Sequence, residues 1–159
     1  MKKGEFENPS QEIRGLMIKE LEEDISSNLF YFPKTIYPNK EKEYKNILKI
    51  YFKEKTITEL IQEINKNFIN RNYLNIKVNS HETLGEGEFN KYYQKAVCQI
   101  AIPIKKKIRI VRWKQVSQPK YLPGFIEGTE FNSDNYYRIL KGSQFQPLGP
   151  NSGLTIEII

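Results

Sequence analysis

The sequence predicts an α+β domain. About three N-terminal helices come first, and a central helix then packs on a small sheet closed by the C-terminal strand. Three observations carry this expectation. Apolar residues recur at helical spacing in three segments before residue 80. From Ser80, the stretch SHETLGEGEFNKYYQKAVCQIAIP sets Phe89, Tyr92, Tyr93, Ala96 and Ile100 at i, i+3, i+4, i+7 and i+11, one apolar stripe on a long helix. Beyond it, residues 108–113 and 154–159 alternate in the manner of strands. Residues 1–79 are thus the helical part, and residues 80–159 the helix–strand–turn–helix–strand part, of one domain. A chain of 159 residues is long enough to bury a single core.

Asn8 and Pro9 open the first helix as N-cap and N1 residue. Its apolar face is Ile13, Leu16, Met17, Leu21 and Ile25, with Glu20, Glu22, Glu23 and Asp24 mostly opposite, and Ser26-Ser27-Asn28 ends it. The segment LFYFPKTIYP follows, an aromatic loop holding Phe30, Tyr31, Phe32 and Tyr37 that Pro33 and Pro38 keep from being helical. A loop this apolar either packs across the helices or forms a contact surface for another subunit. Asn39 is the expected cap of the second helix, with Tyr44, Ile47, Leu48, Tyr51 and Phe52 buried. Thr56-x-x-Glu59 has the form of a capping box and opens a third helix with Leu60, Ile61, Ile64 and Phe68 inside. Residues 70–79 read as a polar linker, with Ile76 and Val78 in a short extended piece.

In the central helix, Ser80 is the expected N-cap, Lys91 and Lys95 are expected to face water, and Pro103 stops the helix. Glu82, Glu86 and Glu88 put negative charge near its positive end, where it complements the dipole and aids solubility. In residues 108–113, Ile108 and Ile110 share one face and Val111 and Trp113 the other, which suggests a strand covered on both sides. Residues 114–135 read as turns with at most a short strand around 125–131. Ser133 caps a short helix that turns Tyr136, Ile139 and Leu140 inward, and Gly142 lies at its end. A tight turn over 149–153 leads to the closing strand, with Leu154, Ile156 and Ile158 on one face.

Several functions are disfavoured by composition. One cysteine, Cys98, cannot form an internal disulfide framework, and with His81 as the lone histidine no Cys/His zinc site can be assembled. No run of ~18 apolar residues suggests a membrane-spanning helix, and no apolar h-region marks the first residues, so the chain is expected to fold in the cytoplasm. His81 and Cys98 lie ~25 Å apart along a helix, too far for a thiol–imidazole pair. Glu86 and Glu88, two residues apart, face different directions and make a poor carboxylate dyad. With no nucleophile–base–orienter set, no enzyme, cofactor or metal is expected.

The net charge of +6 is mostly lysine, the arginines being Arg14, Arg71, Arg109, Arg112 and Arg138. Lys105, Lys106, Lys107, Arg109 and Arg112, beside Trp113, form the best candidate for phosphate contact. The same charges also suit a solvated turn that protects a strand edge.

The segment ETLGEGEFNKYYQKAVCQIAI resembles the EGEFN-[RK]-[YF]-Y helix of a family of uncharacterised proteins from phages, prophages and bacteria. Three further marks agree in order: IRIVRWKQ from Ile108, the Pro-rich segment ending FIEG, and the terminus GPNSGLTIEII. A fainter likeness is to phage minor-head (head-morphogenesis) domains, whose loop carries Arg and His where this chain has VSQPKYLPGFIEG. The resemblance implies a virion structural protein at the head or head–tail junction. It would act by contacts with other virion proteins as a homo-oligomer or ring, with Phe30, Tyr31, Phe32 and Tyr37 as candidate interface. The alternative is a basic nucleic-acid-associated protein that binds weakly through the cluster at 105–113.

Overall fold

Helix α5 (Ser80–Ala101) is the axis on which the other elements are laid. The structure is a computed structural model that describes residues 3–120, 122–142 and 146–159. Ahead of α5 come α1 (Lys3–Glu7), α2 (Gln11–Ser26), α3 (Glu41–Glu54) and α4 (Ile57–Asn67). After it come β1 (Lys107–Arg112), β2 (Glu130–Asn132), α6 (Ser133–Gly142) and β3 (Leu154–Ile158). The α+β expectation holds. The sheet is antiparallel in the order β2-β1-β3, with Ile108 opposite Phe131 on one side and Ile158 on the other.

Helices α2, α4 and α6 and the sheet all pack on α5, so a 22-residue helix is buried around most of its circumference. Phe89, Tyr92 and Ala96 are sealed as the stripe predicts, and Ile100 is half-buried. Phe89 meets Phe6 and Phe52 edge-on, at ring-centroid distances of 5.7 and 5.8 Å. Such aromatic pairs add to the area they bury. Where α4 crosses α5, a Cβ on Gly85 would stand 2.6 Å from Ile61 Cγ1, so glycine sets the closeness of the crossing.

The capping box at Thr56 and Glu59 is present in both directions. Other caps differ from expectation. Helix α2 is capped by Ser10, whose side chain accepts from Ile13 N, and the short α1 precedes it. Asn8 and Pro9 are occupied otherwise, because Arg14 Nη2 donates to Asn8 Oδ1 (2.7 Å) and Arg14 Nε to Pro9 O (2.9 Å). The same guanidinium donates from Nη1 to Phe52 O and Lys55 O, closing the C-terminal end of α3. A 3-10 turn over Pro38–Lys40 replaces the Asn39 cap of α3. Helix α5 is entered through Asn79, while Ser80 Oγ accepts from Lys77 N across the preceding turn.

Three burial expectations are corrected. Strand β1 is sealed on the Ile108/Ile110 face only, with Lys107 and Arg109 exposed opposite. Strand β3 is instead buried on both faces, Thr155 and Glu157 included. Ile139 is partly open to solvent, and Tyr137 rather than Ile139 turns towards α2. No extended piece forms at residues 70–79, where Leu74 and Val78 lie in turns.

Candidate functional site

The side of α5 that meets α2 is polar. Glu88, Tyr92, Lys95 and Gln99 follow one another at i, i+4, i+7 and i+11, and α2 answers with Glu20 and Asp24 at i and i+4. Lys95 Nζ donates to Asp24 Oδ2 (2.9 Å) and Tyr92 OH to the same oxygen (3.0 Å). One α-turn further, Glu20 Oε1 accepts from Gln99 Nε2 (3.0 Å) and Tyr137 OH (2.5 Å), and its Oε2 from Lys141 Nζ (3.1 Å). The helical stripe predicts Lys95 in water and Glu20 and Asp24 opposite the core; all three are buried. Burial pulls the Lys95 ammonium below its ordinary pKa, against the opposing pull of Asp24. The Tyr92 hydroxyl is pushed well up, by burial first and then by the charges of Glu88 and Asp24.

A second polar face of α5 locks the C-terminal strand. Asn90 Nδ2 donates to Leu154 O (2.9 Å), and Asn90 Oδ1 accepts from Thr155 Oγ1 (2.7 Å). The GPNSGL motif sets up that contact. Ser152 Oγ donates to Gly149 O and accepts from Leu154 N, and Gly153 takes φ +68° where a Cβ would meet Lys114 O at 2.4 Å.

The two glutamates of the EGE motif are buried, not solvating, and have different partners. Glu86 is paired with Lys114. Burial nonetheless raises its pKa, with Lys114 working the other way. Glu88 is 7% exposed, and among the described residues neither of its oxygens has a hydrogen-bond partner. Burial drives its pKa up against the pull of Lys91 and Lys95. The Tyr44 hydroxyl, also sealed and without a hydrogen-bond partner among the described residues, is raised by burial and by the Glu88 charge.

Glu88 lines a groove of about 1000 Å³. One wall is the N-terminal half of α5, including Ser80, Thr83 and Lys91. The opposite wall comes from the segment after β1, with Val116 and Lys120, and the turn before β3, with Leu148 and Pro150. Tyr31 and Lys77, both exposed, also line it. Glu88 could have been singled out in the sequence as an acid sharing a helical face with Tyr92 and Lys95, a pattern that a solvated face does not need.

The aromatic loop divides. Phe30 and Phe32 pack on Tyr44 at 6.2 and 6.1 Å, and Tyr37 N donates to Phe68 O (3.3 Å). Tyr31 is left 52% exposed. In the basic cluster, Lys105, Lys106 and Lys107 are exposed at the turn into β1. Arg109 donates to Glu157 Oε1 from Nε (3.1 Å) and Nη2 (2.6 Å), and Arg112 Nε to Glu127 Oε2 (3.0 Å). Both guanidinium groups are therefore committed to carboxylates. Trp113 packs on Phe6 at 4.7 Å. Cys98 is sealed, and burial pushes its thiol up to about 12. Among the described residues, no group of three or more His, Cys, Asp or Glu is placed to hold a metal ion, and no helix is long and apolar enough to cross a membrane.

The chain matches no protein-family model, no curated protein and no solved structure.

Proposed function

We propose that the protein works by contact with neighbouring subunits in a larger assembly, with no bond-making chemistry of its own. The supporting observation is an apolar rim carried on two loops that are tied together. Leu29 (61% exposed) and Tyr31 project from residues 29–38, and Leu74 (98%) and Val78 (95%) from residues 70–79. Asn70 N donates to Thr35 O (2.8 Å), and Ile36 bridges Ile69, so the loop bases are joined. Apolar side chains displayed on an ordered backbone lose little entropy when a partner covers them, and aromatics are enriched at interface cores.

With the resemblance of the EGEFNKYY and GPNSGL segments to phage- and prophage-associated proteins, we take the assembly to be a virion, at the head or head–tail junction. The neighbours would then be other virion proteins and further copies of this chain in an oligomer or ring, made in the host cytoplasm. A second reading, weak and non-specific contact with nucleic acid, has in its favour the exposed lysines at 105–107. With Arg109 and Arg112 paired to acids, those lysines would meet phosphates as point charges without bidentate recognition.

Incorporation tests the contact reading. A Tyr31→Ser/Val78→Ser chain should fold with unchanged circular dichroism and melting temperature, yet be missing from purified particles. Normal incorporation of that folded variant would reject the rim as the interface.

A further inference from the structure

The groove beside α5 carries an inference beyond subunit contact. Among the described residues Glu88 Oε2 is sealed without a partner and Oε1 makes no hydrogen bond, and the residue lines the groove. An unpartnered acceptor in a buried position carries a desolvation cost that a donating ligand removes. The χ3 torsion of glutamate is soft and nearly two-fold, so either oxygen can be presented.

The rest of the lining carries the opposite charge. Lys77, Lys91 and Lys120 line the groove, and Glu88 is the one acid among the described lining residues. None of the three lysines is in an ion pair among the described residues; Lys91 lies over the Tyr92 ring at 5.1 Å. The first turn of α5 opens on the groove through Ser80 and Thr83, beside Lys77, whose N donates to Ser80 Oγ, and Asn79 supplies no side-chain cap to its amides. That end of a helix favours an anion. Glu82 of the same turn is exposed and outside the lining.

A ligand that satisfies both ends needs an anionic group at the end marked by Lys77 and Ser80 and an N–H donor at Glu88. Ser80 and Glu88 lie ~12 Å apart along the helix. Together with a volume of about 1000 Å³, this span is too large for a free amino acid and suits a nucleotide. Leu84, Leu148 and Pro150 supply apolar walls for a flat ring. Carboxylates accept from exocyclic base amines in nucleic-acid recognition. We propose that this groove binds a nucleotide, its phosphate held by lysines of the lining and an exocyclic amine of its base donating to Glu88. The nucleotide can be free in solution or the end of a single strand; the chemistry at the groove is the same.

Calorimetric titration of the full chain with CMP, with UMP, which lacks the exocyclic amine, and with a short oligocytidylate tests the proposal. CMP should bind at least ten-fold more tightly than UMP. Glu88→Met should abolish that preference while the chain remains folded by circular dichroism. Lys77→Ala/Lys120→Ala should weaken both nucleotides at least five-fold and leave their ratio unchanged. An oligocytidylate ten-fold tighter than CMP, and equally sensitive to Glu88→Met, assigns the site to a strand end; equal affinities assign it to the free nucleotide. Equal binding of CMP and UMP, a preference that survives Glu88→Met, or no binding at millimolar nucleotide overturns the proposal.

Discussion

Replacing Lys95 by Met should destabilise the protein by about 3 kcal/mol, the low end for breaking a buried ion pair from one side. The magnitude follows from what Asp24 retains. Its side chain is 5% exposed and that of Lys95 3%, so water cannot take the place of the ammonium. Two contacts soften the loss: Tyr92 OH donates to Asp24 Oδ2, and Lys141 Nζ stands 3.7 Å from Asp24 Oδ1. Urea unfolding followed by circular dichroism measures the effect. With a slope of about 1–3 kcal/mol per molar, the midpoint should fall by about 1–3 M. Removing the whole cluster should cost less than removing one member, since an apolar set of similar shape leaves no charge stranded. Asp24→Leu/Tyr92→Phe/Lys95→Met should therefore lie closer to wild type than Lys95→Met alone. A single-variant loss below 1 kcal/mol, or a triple variant weaker than the single, would refute the claim that this pair is sealed and mutually dependent.

Other outcomes follow from individual contacts. Phe89→Ala, in a site with no exposure, should cost about 3–5 kcal/mol in the same unfolding assay. Gly85→Ala, which would place a methyl 2.6 Å from Ile61 Cγ1, should cost about 1–3 kcal/mol by forcing α4 from α5, while Gly15→Ala, with open space around it, should not destabilise. Thr56→Ala should lose about 1 kcal/mol with the capping box. Because burial raises the Glu88 pKa, the folded state holds that proton more tightly than the unfolded state. The stability this contributes is present below the ordinary glutamate value and is lost as pH rises through the folded pKa. Thermal melts from pH 4 to 7 should accordingly show wild type losing ground to Glu88→Met as pH increases.

The elements with one wet face were legible. Tyr44, Leu48 and Phe52 are buried at the spacing that predicts them, and Thr56 and Glu59 cap α4 as the local pattern requires. Ile108 and Ile110 are sealed as strand alternation predicts. Reading failed where an element has no wet face. A stripe argument assigns residues outside the apolar set to water, but α5 is enclosed by α2, α4, α6 and the sheet. Lys95, Gln94 and Glu88 therefore had to be buried. The small residues Gly85, Ala96, Cys98 and Ala101 on one helix were the available sign that neighbours approach it from several sides. The cap at Ser10 was missed for a long-range reason. Arg14 draws Asn8 and Pro9 to itself while closing α3 across 38 residues of chain. The groove was out of reach for the same reason, since residues 31, 77, 88, 120 and 150 meet only once α5 is enclosed.

The most direct measurement is the stability of Glu88→Met at pH 7, read by thermal unfolding. If Glu88 is an unpartnered carboxyl kept for a ligand, its removal relieves a desolvation cost of about 1–3 kcal/mol. The melting temperature should then rise by at least about 2–4 °C. A melt lowered by the equivalent of 1 kcal/mol or more would show that the carboxylate holds the fold together, and would contradict its assignment as a binding group.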